Sequence, residues 1–421
     1  MAWVNRGDST ALELASASIS IGIYTDGREC HYDLARAANF NVCVLGMSGA
    51  GKTHNIRRLA QSFCGLGMTV FMPDVQGDLA NIPGSVDIPF RYRSKHGSVN
   101  PLRVDSDPDG GGVDMAIRQA IHVIRMFSRQ MGTRQEADLR ALLDAAFHDA
   151  GFLAEDRTTW GKPAPSLKDV LDQAQEVLVR ITHGVDENVL ALIEKHRSKV
   201  DQILNKEGHT EKYDRAVARL TESVKRLVCE GVGGELGKRR WDANRLESLI
   251  HILEGIVATG LFNGDDMEIR RHQINRFDLT KLHKVDQQVM LHLLLERCFE
   301  FAKRSCKHLN PSIPQLAVVL DEGKYATAWM QDMLSPLNRI ATEGRKYGCG
   351  LIMGVQSLRH LSEDASDNFG MSLVLKLSDK ACERAARIFR VPESLLDQIQ
   401  PRRDGLYSFN GSRFARVVLE A

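Results

Sequence analysis

Residues 46–53 read Gly46-Met47-Ser48-Gly49-Ala50-Gly51-Lys52-Thr53, directly after the apolar run Phe40-Asn41-Val42-Cys43-Val44-Leu45 and directly before a helical pattern, His-Asn-Ile-Arg-Arg-Leu-Ala-Gln-Ser-Phe. Glycines this close together break any regular element, so the chain must turn sharply between a buried strand and a helix. That order satisfies G-x-x-x-x-G-K-[ST] in the structural context the pattern requires. The glycines let the backbone wrap until successive N–H groups face a phosphate, and the helix N-terminus adds its dipole. In such a loop Lys52 bridges the β and γ phosphates of ATP, and the Thr53 hydroxyl ligates Mg²⁺. Gly46, Ser48, Gly49, Ala50, Gly51, Lys52, Thr53 and His54 are therefore the candidate nucleotide-binding residues, with Thr53 also a metal ligand.

Further apolar runs bounded by turn residues lie at 68–72, 273–279, 315–320, 350–355 and 371–377, separated by helical patterns. This alternation predicts an α/β fold, a mostly parallel sheet covered on both faces. Weaker strands are expected at 18–24 and 405–419, the latter a hairpin around Asn410-Gly411. Between 113 and 257 nearly every segment has helical spacing instead, as in MAIRQAIHVIRMF and YDRAVARLTESVKRLV, which predicts an inserted all-α domain. The breaker clusters DPDGGG (107–112) and GLFNGDD (260–266) flank it. The expected division is 1–112 for the first part of the core with the phosphate loop, 113–257 for the insert, and 258–421 for the rest of the core. The charge-dense stretch 194–226 reads as a solvated helix face.

Two further strand ends carry candidate chemistry. The run Leu316-Ala-Val-Val-Leu ends in Asp321-Glu322, at the strand edge where open α/β sheets bind ligands. Asp321 can hold Mg²⁺ through water, and Glu322 can accept a proton from the water that attacks the γ-phosphate. Taken alone, Asp-Glu after a strand is equally a helix-capping turn. Downstream, EGRKYG leads into an apolar strand ending at Gln356, which is placed to sense the γ-phosphate or the attacking water. Arg345 or Lys346 can supply charge to a neighbouring subunit's γ-phosphate, or can simply be cations near a helix C-terminus.

Hydrophobic residues make up 43% and charged residues 26%, which excludes disordered, collagenous and disulfide-scaffold classes. Lys plus Arg number 55 against 54 Asp plus Glu, so nucleic acid or acidic membrane can be bound only through a local patch. Candidate patches are Arg91-Arg93-Lys95, Lys238-Arg239-Arg240 beside Trp241, and Arg402-Arg403; solvated faces or subunit salt bridges explain each equally well. No apolar run approaches the roughly 18 residues of a membrane-spanning helix, and the first residues lack the order of a signal peptide, so a cytoplasmic location is expected. The eight cysteines include no C-x-x-C and read as buried free thiols.

In their order these residues resemble the FtsK/HerA superfamily of P-loop motor ATPases, in particular the HerA-like proteins and the ATPases of conjugation and type IV secretion. The matching pieces are GMSGAGKT, VFMPDVQGDL, Asn100-Pro101-Leu102, GLFNGDD followed by INRFDLTKL, VVLDEG, EGRKYGCGLIMGVQS and LVLKLSD, over 18–421. The resemblance implies a RecA-like core with Lys52 and Thr53 on ATP and Mg²⁺, and with Asp321 facing the metal. It implies Glu322, Gln356 and Arg345 as catalytic residues, in the roles of acid, sensor and trans-acting arginine. It also implies a ring, usually a homo-hexamer, with ATP between subunits and DNA or protein threaded through the centre. The inserted helices resemble the all-α domain found between the two Walker strands. Little sequence precedes the loop, so the N-terminal β-barrel of full-length HerA is expected to be missing, as is the large N-terminal domain of secretion ATPases.

The leading expectation is an ATP-driven, ring-forming DNA translocase or helicase-like motor that contacts DNA without reading its sequence. The alternatives are an energising ATPase of a type IV secretion or conjugation complex, acting on protein at a membrane assembly, and an ATP-switched scaffold partnering a nuclease or defence effector.

Overall fold

The structure, a computed structural model, describes residues 2–4, 17–94, 97–105, 110–128, 130–183, 241–264, 267–306, 308–321, 335–356 and 368–419. In chain order the elements are β1 (Ala2–Val4), β2 (Ser18–Tyr24), β3 (Glu29–Asp33), β4 (Val42–Leu45), α1 (Lys52–Gly65), β5 (Thr69–Asp74), β6 (Ser85–Pro89), α2 (Gly112–Phe127), α3 (Thr133–Asp149), α4 (Leu167–His183), α5 (Ala243–Ala258), β7 (Glu268–Arg270), β8 (Ile274–Asp278), α6 (Lys284–Ser305), β9 (Leu316–Leu320), α7 (Pro336–Glu343), β10 (Cys349–Val355), β11 (Met371–Val374), α8 (Asp379–Phe389), α9 (Glu393–Asp397), β12 (Asp404–Phe409) and β13 (Ala415–Leu419). They form two compact units, Met1–Val99 with Asp265–Ala421, and Asn100–Gly264.

The first unit is built on an 11-stranded sheet in the order β3-β2-β13-β12-β11-β4-β10-β9-β5-β8-β6. From β11 to β6 every neighbouring pair is parallel, and β12, β13, β2 and β3 continue the sheet antiparallel. Every residue of β4, β5, β9 and β10 is buried, which is why these strands read as continuous apolar runs rather than alternating ones. Helix α1 lays Ile56, Leu59, Ala60 and Phe63 on the sheet against Val42, Val44, Val70, Met72 and Ile352. Each of these side chains except the Ala60 methyl contributes roughly 1.5–3 kcal/mol by leaving water. The hairpin after β12 closes through Asn410 (φ 49°) and Gly411 (φ 69°), with Ser412 N donating to Phe409 O at 2.9 Å, a type I′ turn that matches the strand twist.

Four strands lack a sequence signal: the three-residue β1 and β7, which pair in a separate two-stranded sheet, and β3 and β6, which lie at the edges of the 11-stranded one. β3 reads ECHYD, and β6 ends in Pro89, both suited to a margin where polar groups and a missing N–H cost little.

The second unit packs α2, α3, α4 and α5 together through amphipathic faces. Ile117, Ile121 and Ile124 of α2 and Leu249, Leu253 and Ile256 of α5 are buried, and Phe127 meets Phe262 edge to face at 5.6 Å. Arg245 Nε donates to buried Asp138 at 2.9 Å. The unit begins at Asn100, earlier than the residue 113 expected. The physical reason is that the Asn100 side chain accepts from Leu102 N and donates to Pro165 O, which anchors the chain before any helix starts. Gly112 begins α2 at φ 54°, and a Cβ there would stand 2.3 Å from the Trp160 ring. The 194–226 stretch and all of YDRAVARLTESVKRLV lie outside the described residues.

No helix among the described residues is long and apolar enough to cross a membrane. The described cysteines are free thiols, and burial pushes Cys43 and Cys349 up to about 12; Cys229 lies outside the described residues.

Candidate functional site

The phosphate loop leaves the C-terminal edge of β4 and runs into α1. Gly46 N donates to Val355 O at 3.1 Å and Met47 N to Lys376 O at 2.9 Å, so the loop is hung from the ends of β10 and of the segment after β11. Gly49 (φ 79°) and Gly51 (φ 100°) adopt left-handed conformations that a side chain would strain. The Ala50 methyl is buried beneath the loop, and Asn55 Nδ2 donates to Gly51 O at 2.9 Å. Lys52 is buried, with its ammonium donating to Met47 O at 3.1 Å across the mouth of the loop.

Asp321 follows β9 at the same edge. Strand β10 lies between β4 and β9, so the two strand ends are one strand apart, and Thr53 Oγ1 donates to Asp321 Oδ2 at 2.7 Å. Close approach depends on Gly354 of β10, where a Cβ would stand 2.3 Å from Asp321 O and 2.5 Å from Ile56 Cδ1. A cleft of about 480 Å³, within the usual range for small-ligand sites, opens over this edge. Ser48, Gly49, Gly51, Lys52, Thr53, His54, Asp321 and Gln356 all line it. Gly46 and Ala50 do not; they shape the loop from beneath.

Glu322 lies outside the described residues. Arg345 stands at the opposite strand edge, before β10, where its Nη1 donates to Ala37 O at 2.7 Å and its guanidinium lies 5.1 Å over the Phe40 ring. It is therefore remote from the Lys52 of its own chain, and Lys346 beside it is exposed.

The cleft also contains residues to which the sequence reading gave no role there: Asn55, Gln76, Asp78, Arg402 and Leu419. Gln76 and Asp78 belong to the acidic turn of VFMPDVQGDL. That turn is tied by Gly77 N donating to Asp74 Oδ1 at 2.7 Å, while Asp74 is held by Arg276 through Nε at 2.8 Å. The basic patches rearrange as well. Arg91 pairs with Asp278 at 2.5 Å, and Arg402 lies on the phosphate loop with Nε donating to Gly49 O at 3.3 Å. Burial alone would raise the Asp278 carboxyl, but the hydrogen bonds from Arg91 and Thr280 outweigh it and hold the group below its ordinary range. Lys95 and the Lys238-Arg239-Arg240 patch lie outside the described residues.

Residues 23–110 match the helicase HerA-like C-terminal family. Among solved structures the chain is similar to VirB4 of Thermoanaerobacter pseudethanolicus, with 17% identity, 98% of each chain covered and a TM-score of 0.64. It is also similar to the bacterial conjugative coupling protein TrwBdeltaN70 in its unbound monoclinic form, with 14% identity over 97% of this chain and 90% of that one at a TM-score of 0.55. Plasmid coupling protein TrwB in complex with ADP and Mg²⁺ matches at 14% identity over 96% and 89%, with a TM-score of 0.54. No curated protein sequence matches this chain. The α/β architecture with its large, mostly parallel sheet is shared with these P-loop ATPases. The strand, loop and helix that carry GMSGAGKT thus lie within the stretch that matches the helicase HerA-like C-terminal family, and the chain shares its fold with VirB4 and TrwB.

Proposed function

We propose that this chain hydrolyses ATP at the cleft between the phosphate loop and Asp321, and that it does so as the subunit of a ring-forming motor, a homo-hexamer, that translocates DNA without reading its sequence. The observation that carries the ATPase reading is the 2.7 Å approach of Thr53 Oγ1 to Asp321 Oδ2 beside a buried Lys52, from residues far apart in the chain. A hydroxyl and a carboxylate converging on one point are the hard oxygen donors that Mg²⁺ takes, so this pair fits the ion. When bound, Mg²⁺ supplies positive charge to the β and γ phosphate oxygens.

The chain's own groups divide the work. Loop N–H groups and the N-terminus of α1 bind the phosphates, and Lys52 leaves Met47 O for them. Thr53 and Asp321 hold the metal. Gln356 at the end of β10 orients the attacking water, and Glu322 takes its proton. Arg345, on the far strand edge, faces a neighbouring subunit's γ-phosphate in a ring, completing that site in trans. Replacing Lys52 with Ala removes the charge that stabilises the transferring phosphoryl group, and turnover should fall by about 10²-fold or more while the unfolding transition is kept. An ATPase rate equal to wild type would dismiss the assignment.

A second reading, an energiser of protein transfer in a conjugation or secretion complex, is favoured by one observation. Arg91 and Arg402, two of the basic residues available for DNA, are engaged by Asp278 and by the phosphate loop. Salt-sensitive stimulation of the ATPase by duplex DNA supports the translocase, and indifference to DNA supports the energiser.

A further inference from the structure

The turn 398–404, between α9 and β12, is fastened more firmly than a surface connection requires. Asp404 is buried; it accepts from Gln400 N at 2.6 Å and from Arg416 Nε at 2.8 Å, and Arg416 also donates to Gln398 O at 3.1 Å. Gln400 O accepts from Arg403 N and Asp404 N at 3.3 Å each, and Arg403 O from Leu419 N at 2.9 Å. At the tip, Arg402 is held at φ 62°, a left-handed conformation that a side chain adopts only when its surroundings impose it.

That conformation lays Arg402 along the phosphate loop. Its backbone N–H donates to Ala50 O at 3.2 Å and its Nε to Gly49 O at 3.3 Å, while its Cγ comes within 3.4 Å of where a Gly51 Cβ would be. The residue lines the same cleft as Lys52, Thr53 and Gln356. A carbonyl acceptor at 3.3 Å occupies one of five guanidinium N–H donors. Lys52 is a buried point charge inside the loop, whereas Arg402 is an exposed planar fork on the loop's outer side, the geometry that recognises phosphate oxygens two at a time.

We propose that Arg402 is a cis-acting phosphate contact, a second cation that binds the nucleotide's phosphate chain from outside the loop while Lys52 binds it from within. The inference rests on the reading of the cleft as the ATP site. In the nucleotide-bound protein the guanidinium exchanges Gly49 O for phosphate oxygens, and the bonds of the 398–404 turn keep it within reach.

The test uses the full chain and titrations of Mg·ATP, Mg·ADP and a duplex oligonucleotide. Arg402→Gly suits it best, because glycine takes the left-handed backbone without strain and removes only the side chain. We expect Arg402→Gly to weaken Mg·ATP and Mg·ADP binding about ten- to a hundredfold, the range for a charge-assisted contact, with a melting temperature at or above wild type. Arg402→Lys should recover part of that loss, since it restores charge without the fork. Wild-type affinity in Arg402→Gly alongside lost affinity in Lys52→Ala overturns the proposal and leaves the cleft assignment standing. Undiminished Mg·ATP affinity in Lys52→Ala overturns both. Unchanged nucleotide affinity with weaker, less salt-sensitive binding of the duplex by Arg402→Gly overturns it in favour of a DNA contact.

Discussion

Placing one methyl group on Gly354 should disable the site from beneath. The added Cβ would stand 2.3 Å from Asp321 O and 2.5 Å from Ile56 Cδ1. A carbon and a carbonyl oxygen need about 3.3 Å, so roughly 1 Å must be found. Ile56 can yield by changing rotamer, but Asp321 O is backbone at the end of β9 and moves only with its strand end. That shift takes the Asp321 carboxylate away from Thr53 Oγ1, now 2.7 Å away. Overpacking of this kind costs about 1–3 kcal/mol of stability, and a 1 Å misplacement at reacting groups costs on the order of 10²-fold in rate. Steady-state ATP hydrolysis and denaturant unfolding of Gly354→Ala measure both effects. Gly350→Ala is the internal comparison: its Cβ would stand 2.9 Å from Phe40 O at the opposite end of the same strand. It should lose stability while keeping kcat within a few-fold of wild type. A Gly354→Ala enzyme with wild-type turnover, or equal rate losses in the two variants, would refute the reasoning.

Asn41, 1% exposed, donates to Ala341 O at 2.7 Å and Asn368 O at 3.0 Å and accepts from Leu351 N at 3.0 Å, so Asn41→Ala strands buried backbone groups and should cost about 3 kcal/mol in chemical denaturation; a loss below about 1 kcal/mol would refute that accounting. Burial pushes the Glu296 carboxyl from 4.5 up to about 7, against the opposing pull of Arg339 at 3.6 Å. The folded state therefore holds this proton more tightly than the unfolded state, and its contribution is full below the unfolded pKa and lost as pH rises toward the folded one. Wild type should lose about 2–3 kcal/mol of unfolding free energy from this group between pH 5 and 8, and Glu296→Gln should not; parallel pH profiles would count against it.

The parts of the site legible in the sequence are those whose causes are local. Gly49 and Gly51 are needed because the loop itself demands left-handed backbone, and VCVL, LAVVL and CGLIMGV announce themselves because strands buried on both faces carry no polar alternation. Gln356 could be placed at the cleft for the same reason, since it is the first polar residue after such a strand. The edge strands β3 and β6 were not legible, because a margin tolerates polar side chains and proline. Locally, Arg402-Arg403 is a basic pair that suits a nucleic-acid backbone, a solvated face or a subunit salt bridge equally well; nothing local indicates that a buried Asp404–Arg416 contact turns Arg402 onto the phosphate loop.

The sequence by itself determined the strand–loop–helix unit, the α/β class and the identity of the groups able to hold a phosphate and a metal, because each follows from backbone sterics and side-chain chemistry within a few residues. Only the tertiary structure decided which of these groups meet. Strand order brought Asp321 onto Thr53, the missing side chain of Gly354 let them close to hydrogen-bonding distance, and the C-terminal turn delivered Arg402 to the same cleft. Those juxtapositions depend on pairing between distant segments of chain, and burial of the whole sheet, rather than any local preference, selects that pairing.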